Sequence, residues 1–432
     1  MQDVQHKNPR LRQGYVGQAG PCRQWIRYSI VGIILSMLSE PLHAGLFYDN
    51  RFFPLTLYPY VTHYDRDRYA TLGPFMTTTP SSFEREERDM PLFNILGSFD
   101  QKAIALAMAQ AGYENPFIAV GQEDLLLTRS TILWNMNGKI QSQGLFFGAQ
   151  YGCSRHVTLG FEWYFMRANS RLIFSPEESR DRIPELDVIL RSMNAQLGMN
   201  GTQSDEIGMG DLDLYLRVGN NWDYTLKFRH IDLGLRFGLL VPAGKRASIC
   251  DPASVPFGGN GHWGFYFMGD GEFELKEDWK LGLFIGLSKR LAKTQLSRMP
   301  IGSEPINYGV VVGEARVNPG PTFMFAPYFS VENLREGFGA RLQYTLSIHG
   351  EDGWTDKRCD KTIPVRLRSA VESSRWSGGH VTLTALYDFG KMKVKRTAEP
   401  VVYLAWDVPV NVILTHRIPK TTKVSIGIEF NF

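Results

Sequence analysis

The 432-residue sequence predicts an all-β fold: an antiparallel transmembrane β-barrel of about 12 strands, with 14 possible, behind an N-terminal segment containing one short helix. Three observations predict it. The first is the chain's end, KVSIGIEFNF, where Val424, Ile426, Ile428, Phe430 and Phe432 fall on one side of a period-2 register and Lys423, Ser425, Gly427, Glu429 and Asn431 on the other. The second is that the same alternation governs nearly everything after Thr128. The third is an alternation of loop lengths, short on one side and long on the other, as closed membrane barrels have. An edge strand of a soluble sandwich also fits the first observation but gives no reason for the third.

Composition is compatible with this reading. Charged residues make up 21% and hydrophobic residues 43%, and after the leader no apolar run reaches the length a helical span needs. Barrels escape hydropathy because lipid-facing and lumen-facing residues alternate. A net charge of +3 gives no argument for nucleic acid, and aromatics at 12% suit interfacial girdles.

In chain order, residues 1–44 have the layout of a signal peptide: basic Lys7, Arg10, Arg12, Arg23 and Arg27, an apolar run from Ser29 to Leu38, then Pro41-Leu42-His43-Ala44 with cleavage expected after Ala44. A retained anchor is the other reading. Residues 45–128 are expected to form a plug or periplasmic segment. Arg68 to Thr79 offers one further strand, and Ser98 with Gln101 reads as a capping box before an alanine-rich helix stopped at Gly112. Residues 129–432 are the expected barrel. Strands are read near 129–136, 139–152, 156–169, 208–219, 225–241, 262–275, 279–295, 318–331, 337–350, 378–390, 400–416 and 421–432. Asn137-Gly138 suits a hairpin turn, and Pro409 predicts a bulge.

Counting back from a downward last strand puts the connections 153–155, 220–224, 276–278, 332–336 and 391–399 on the periplasmic side; all are short. It puts 170–207, 242–261, 296–317 and 351–377 outside, and all are long; only Asn137-Gly138 and the 417–420 turn are short on that side. Trp222 and Trp279 then mark the inner rim, Trp263 and Trp376 the outer rim. Within 170–207, Leu186, Ile189, Leu190, Met193 and Leu197 have helical spacing with Gly198 in the stop position, so a helix is expected at the rim or in the mouth.

The polar face carries the candidate lumen residues: Glu162, Asp211, Asp213, Arg217, Asp232, Arg236, Asp270, Glu272, Glu274, Arg341, Asp388, Asp407 and Glu429, with Lys280 beside them. Mutual neutralisation inside a narrow barrel explains them, and so does a mixed-charge conduit. His230, His349 and His380 share that face without metal-ligand spacing, so they are read as hydrogen-bonding groups; no metal or other cofactor is expected. Cys250 and Cys359, in two outer loops, form a candidate disulfide that leaves Cys153 over.

The terminal strand and these loops resemble the Gram-negative outer-membrane β-barrel class. The resemblance implies outer-membrane location, contact with outer-membrane lipid, and recognition by the barrel-assembly machinery through a signal in the last strand, here Ile426, Ile428, Phe430 and Phe432. A second resemblance, to the long-chain fatty-acid transporter family, rests on Asn115-Pro116 after the helix and on the N-terminal segment; Phe117 departs from that family's small residue.

Barrel phospholipases carry His and Ser two residues apart on an outward face, whereas Ser347 and His349 have the reverse order on the polar face. No P-loop, dinucleotide turn or zinc spacing appears, and Glu272 with Glu274 lacks a partner acid, so no enzyme is expected. Two classes remain: a pore or transporter for an unidentified small solute, and a structural barrel with a blocked lumen and partner-binding outer loops. Nucleic acid is not expected as a partner.

Overall fold

In the computed structural model, residues 49–55, 68–85, 89–177, 184–224, 226–391 and 399–431 are described. The leader expected over 1–44 and the terminal Phe432 lie outside them.

Alternating apolar and polar side chains make each strand two-faced, and a lipid bilayer tolerates such strands only when both edges are hydrogen-bonded. The chain meets this requirement with a closed antiparallel ring. Its members are β1 (Arg68–Thr79), β2 (Leu133–Ser154), β3 (Val157–Pro176), β4 (Leu212–Asp223), β5 (His230–Val241), β6 (Gly264–Lys276), β7 (Trp279–Arg290), β8 (Pro321–Arg335), β9 (Phe338–His349), β10 (Trp376–Asp388), β11 (Glu399–Val410) and β12 (Thr422–Asn431). Sequence neighbours pair throughout. The seam between β12 and β1 closes the ring, from Tyr69 opposite Asn431 to Thr78 opposite Thr422.

Ring membership differs from the sequence reading in two places. The expected pair 129–136 and 139–152 is one continuous strand, in which Asn137 and Gly138 sit opposite Ile173 and Leu172 rather than in a turn. The missing member is Arg68–Thr79, paired on both sides. Losing one strand and gaining another leaves the total at twelve and excludes fourteen among the described residues. The barrel therefore begins within the segment 45–128. Pro409 also pairs in register with His380, without a bulge. Pairing of β11 with β12 ends at Asp407–Lys423, so Pro409 lies where that side of β11 asks for no donor.

Outward side chains form the apolar belt. Leu72, Leu145, Leu159, Phe165, Leu233, Leu235, Phe237, Leu281, Leu342, Leu404, Ile426, Ile428 and Phe430 are exposed, while their strand neighbours are buried. Twelve residues at about 3.3 Å each, tilted near 40°, rise roughly 30 Å, enough for the hydrocarbon layer. Trp222, Trp279 and Trp263 are exposed at strand ends. Trp376 is not part of the outer girdle, because it turns inward and stacks on His349 at 5.5 Å.

Short turns gather at one end of the ring and long connections at the other, which orients the barrel with its C-terminal end inward. Because β1 runs outward and β2 starts at the outer end, residues 80–85 and 89–132 belong to an outer cap. This includes α1 (Gln101–Gln110), capped by Asp100, which accepts from the backbone N–H of Lys102 and Ala103; Ser98 is not the cap. Asn115 caps the short helix Pro116–Ala119 with Pro116 in the first turn. The helix α2 (Pro184–Gln196) buries the predicted stripe Leu186, Ile189, Leu190, Met193 and Leu197 in the same apolar core, and Gly198 ends it at φ 65°. A three-stranded sheet of Lys293–Met299, Val311–Asn318 and Gly353–Asp356 completes the cap.

Candidate functional site

The inward register brings the candidate residues together in two zones. In the first, Arg217 donates to Asp232 at 2.9 Å and to Asp270 at 2.6 Å, and Arg236 donates to the other oxygen of Asp270 at 3.1 Å. Lys280 lies 2.7 Å from Glu332 and 3.4 Å from Glu272. Glu272 also accepts from Tyr328, whose ring lies 3.6 Å beneath the Arg341 guanidinium. Arg217, Asp270, Lys280 and Glu272 each have two partners, as burial away from bulk water demands. Tyr266 donates to Asp213 at 3.1 Å and Tyr69 to Glu429 at 3.0 Å, and Glu162 on β3 is fully buried, opposite Gly148 of β2 and Asp213 of β4.

The second zone is nearer the outer end. Lys423 pairs with Asp407 at 2.8 Å, and Thr382 donates to the same carboxylate. Arg290 bridges Asp211 at 2.7 Å and Asp49 at 2.6 Å. Asp211 further accepts the backbone N–H groups of Gly244 and Gly259, which fixes the β5–β6 loop over the mouth. Two candidates sit at the inner end: Asp388 accepts from Gly390 N–H and Glu274 from Asp278 N–H, so they hold periplasmic turns.

Residues 49–55 lie inside the outer half of the ring. Asn50 donates to the carbonyls of Pro256 and Gly258, Arg51 to that of Ser373 at 3.0 Å, and Thr421 to that of Phe52 at 3.0 Å. Phe52, Phe53 and Leu55 are buried, with Phe53 edge-on to Phe257 at 5.9 Å. Sequence patterning gave no sign of this insertion, because the segment has no period.

The remaining lumen is filled by aromatics. Phe75, Phe146 and Tyr403 stack in a row at 6.4 Å steps, and Phe284 stacks on Tyr328 at 5.5 Å. Three tyrosine rings lie over a glycine opposite them on the next strand: Tyr266 over Gly238, Tyr328 over Gly282 and Tyr403 over Gly427. Eight-stranded barrels are filled by side chains alone, and a wider ring needs such rings or inserted chain to close.

Above this filling is a cavity of about 430 Å³, floored by Asn50, Arg51 and Phe52 and walled by Arg246, Asp251, His262, Arg298, Trp354 and Trp376. His262 donates from Nδ1–H to the carbonyl of Leu291, 2.9 Å away, and burial lowers the pKa of the ring. His349 bonds Thr322 at 2.7 Å and Asp352 at 3.0 Å, and His230 bonds Asp223 at 2.6 Å. Cys250 and Cys359 are both free thiols, so the expected cross-link is not formed; Cys250 is instead fixed through its carbonyl to Asn200 N–H.

No protein-family model matches the chain, and no curated protein matches it. Among solved structures, it is similar to an outer membrane channel from Pseudomonas putida F1, at 12% identity and a TM-score of 0.43, over 84% of this chain and 95% of that one. It is also similar to the Pseudomonas putida toluene transporter TodX, at 10% identity and 0.33, over 84% and 89%. A Pseudomonas aeruginosa FadL homologue matches at 8% identity and 0.31, over 85% and 90%. The chain is an outer-membrane β-barrel, on the ground of its closed ring and apolar belt.

Proposed function

We propose that this barrel is a conduit for small solutes, described here in a closed state, with the outer cavity as its entrance and residues 49–55 as its stopper. The observation that carries this reading is the nature of the floor. The stopper belongs to no ring strand: hydrogen bonds from Asn50, Arg51 and Thr421, the buried ion pair from Arg290 to Asp49 and the packing of Phe52, Phe53 and Leu55 hold it, so it can shift without breaking the backbone ladder of the ring. The lumen charges would line the route once the stopper shifts, and Glu162, Arg217 and Asp270 sit on that route. The reading assigns the chain no reaction, no cofactor and no nucleic-acid partner; assembly is assigned to the barrel-assembly machinery acting on the last strand.

One observation favours the second class: the mutual pairing of the lumen charges and the stacked aromatics would equally suit a sealed scaffold. Planar bilayers separate the two. Refolded full-length protein is expected to give brief, infrequent conductance steps, and the variant Asp49→Ala with Arg51→Ala longer and more frequent ones. Silence from both, with normal heat-modifiable migration, would leave the sealed scaffold as the answer.

A further inference from the structure

β2 and β3 run 22 and 20 residues, whereas β4, β5, β7 and β9 run 12 each. The excess projects past the outer edge of the belt, where a third strand, Gln203–Met209, pairs with β3. The inner side of this panel packs into the cap through Met136, Ile140, Met166, Ala168 and Leu172. Its outer side is a bare sheet face.

Register gives the order of side chains on that face. Leu145 opposite Phe165 ends the belt on these strands; Gln143 opposite Arg167 follows, then Gln141 opposite Asn169, then Lys139 opposite Arg171. Met76 and Ile207, both exposed, flank Gln143 and Arg167, so Arg167 stands at the upper margin of the apolar surface. Lys139 and Arg171 lie four residues beyond it, roughly 10 Å further out for a tilted strand. That is headgroup depth.

Like charges directly opposite one another across two strands repel, with their Cβ atoms about 5 Å apart. Lys139 and Arg171 are such a pair, both exposed. On its other side Arg171 faces Gln203, and among the described residues no acidic side chain pairs with either cation. The nearby Asp205 is taken by a two-pronged bridge to Arg167, at 2.8 and 2.5 Å. Elsewhere the outward positions near the outer rim hold Trp263, Phe265 and Leu287. We infer that the Lys139–Arg171 pair binds the phosphate of a glycolipid headgroup in the outer leaflet, the lipid's chains lying on Leu145, Phe165, Ile207 and Met209. A phosphate relieves the like-charge pair and suits the guanidinium fork. The apolar surface immediately beneath selects an amphiphile over a free anion. The inference does not depend on whether the lumen conducts.

The test is lipid binding by the full-length protein in detergent, read by native mass spectrometry, with heat-modifiable migration confirming the fold. The probes are a bisphosphorylated lipid A, the same lipid with its phosphates removed, and inorganic phosphate. The double variant Lys139→Gln with Arg171→Gln is compared with Lys276→Gln with Arg335→Gln, which removes two exposed cations from the inner end. The wild-type chain is expected to retain bisphosphorylated lipid A. The rim variant loses on the order of tenfold in affinity, removal of the phosphates costs the same, and the inner-end variant keeps wild-type binding. Undiminished binding by the rim variant, an equal loss in the inner-end variant, or indifference to the lipid's phosphates would each overturn the proposal. Displacement of the lipid by dilute inorganic phosphate would overturn it too, by showing a free-anion site.

Discussion

At Gly282 the absence of a side chain is what lets the lumen fill. A Cβ there would fall 2.0 Å from the ring of Tyr328, which donates to Glu272 and lies under Arg341. Gly282→Ala must push the ring off both partners, and it is expected to destabilise the barrel by about 1–3 kcal/mol. Gly269→Ala serves as the control, since its nearest neighbour is a side-chain carbon 3.6 Å away and it faces lipid; a change within roughly 0.5 kcal/mol is expected. Urea unfolding in liposomes measures both, and equal effects would refute the packing argument. Asp270 makes a second residue-scale case, because one carboxylate serves both Arg217 and Arg236. Asp270→Asn leaves two buried cations short of an anion, so a loss of about 3–5 kcal/mol in the same assay is expected. The inward placement of Asp270, Arg217 and Arg236 was legible from a period of two alone. The glycines under Tyr266, Tyr328 and Tyr403 were not, because that pairing depends on register between strands whose connections vary in length.

Single elements were read well where burial enforces a period and poorly where local turn chemistry had to decide. The stripe of α2 required an apolar partner and found one in the cap. Asn137-Gly138 has ideal hairpin chemistry, yet the pair stays extended because β3 continues opposite it through Pro176 and the phenyl ring of Phe93 closes on Gly138. At α1 a capping box through Ser98 was expected, but the acceptor is Asp100, one residue before the helix, which also receives the N–H of Ile132. The two readings separate cleanly. Asp100→Ala is expected to cost about 1 kcal/mol and to raise amide exchange through Gln101–Gln110, while Ser98→Ala leaves exchange unchanged. The reverse pattern would restore Ser98 as the cap.

Closure is a property of the whole molecule, and it joins residues 68–79 to 422–431 across almost the full length of the described chain. Periodicity located nearly every strand but gave no information on which two meet at the seam, since a strand's own alternation is indifferent to its neighbour. The count of twelve therefore matched while the boundary at residue 129 did not. A chain beginning at residue 129 tests this directly, because it keeps eleven ring strands and leaves β2 and β12 with bare edges in hydrocarbon. Each unpaired N–H or C=O there costs several kcal/mol, and a seam of this length exposes many. Such a chain, given its own leader, is expected to be missing from the outer-membrane fraction and to show no heat-modifiable form. Deleting Thr422–Phe432 opens the mirror-image gap between β11 and β1 and is expected to fail in the same way. Normal membrane levels of the chain starting at 129 would mean that β1 is dispensable, and the seam described here would then not be what holds the barrel shut.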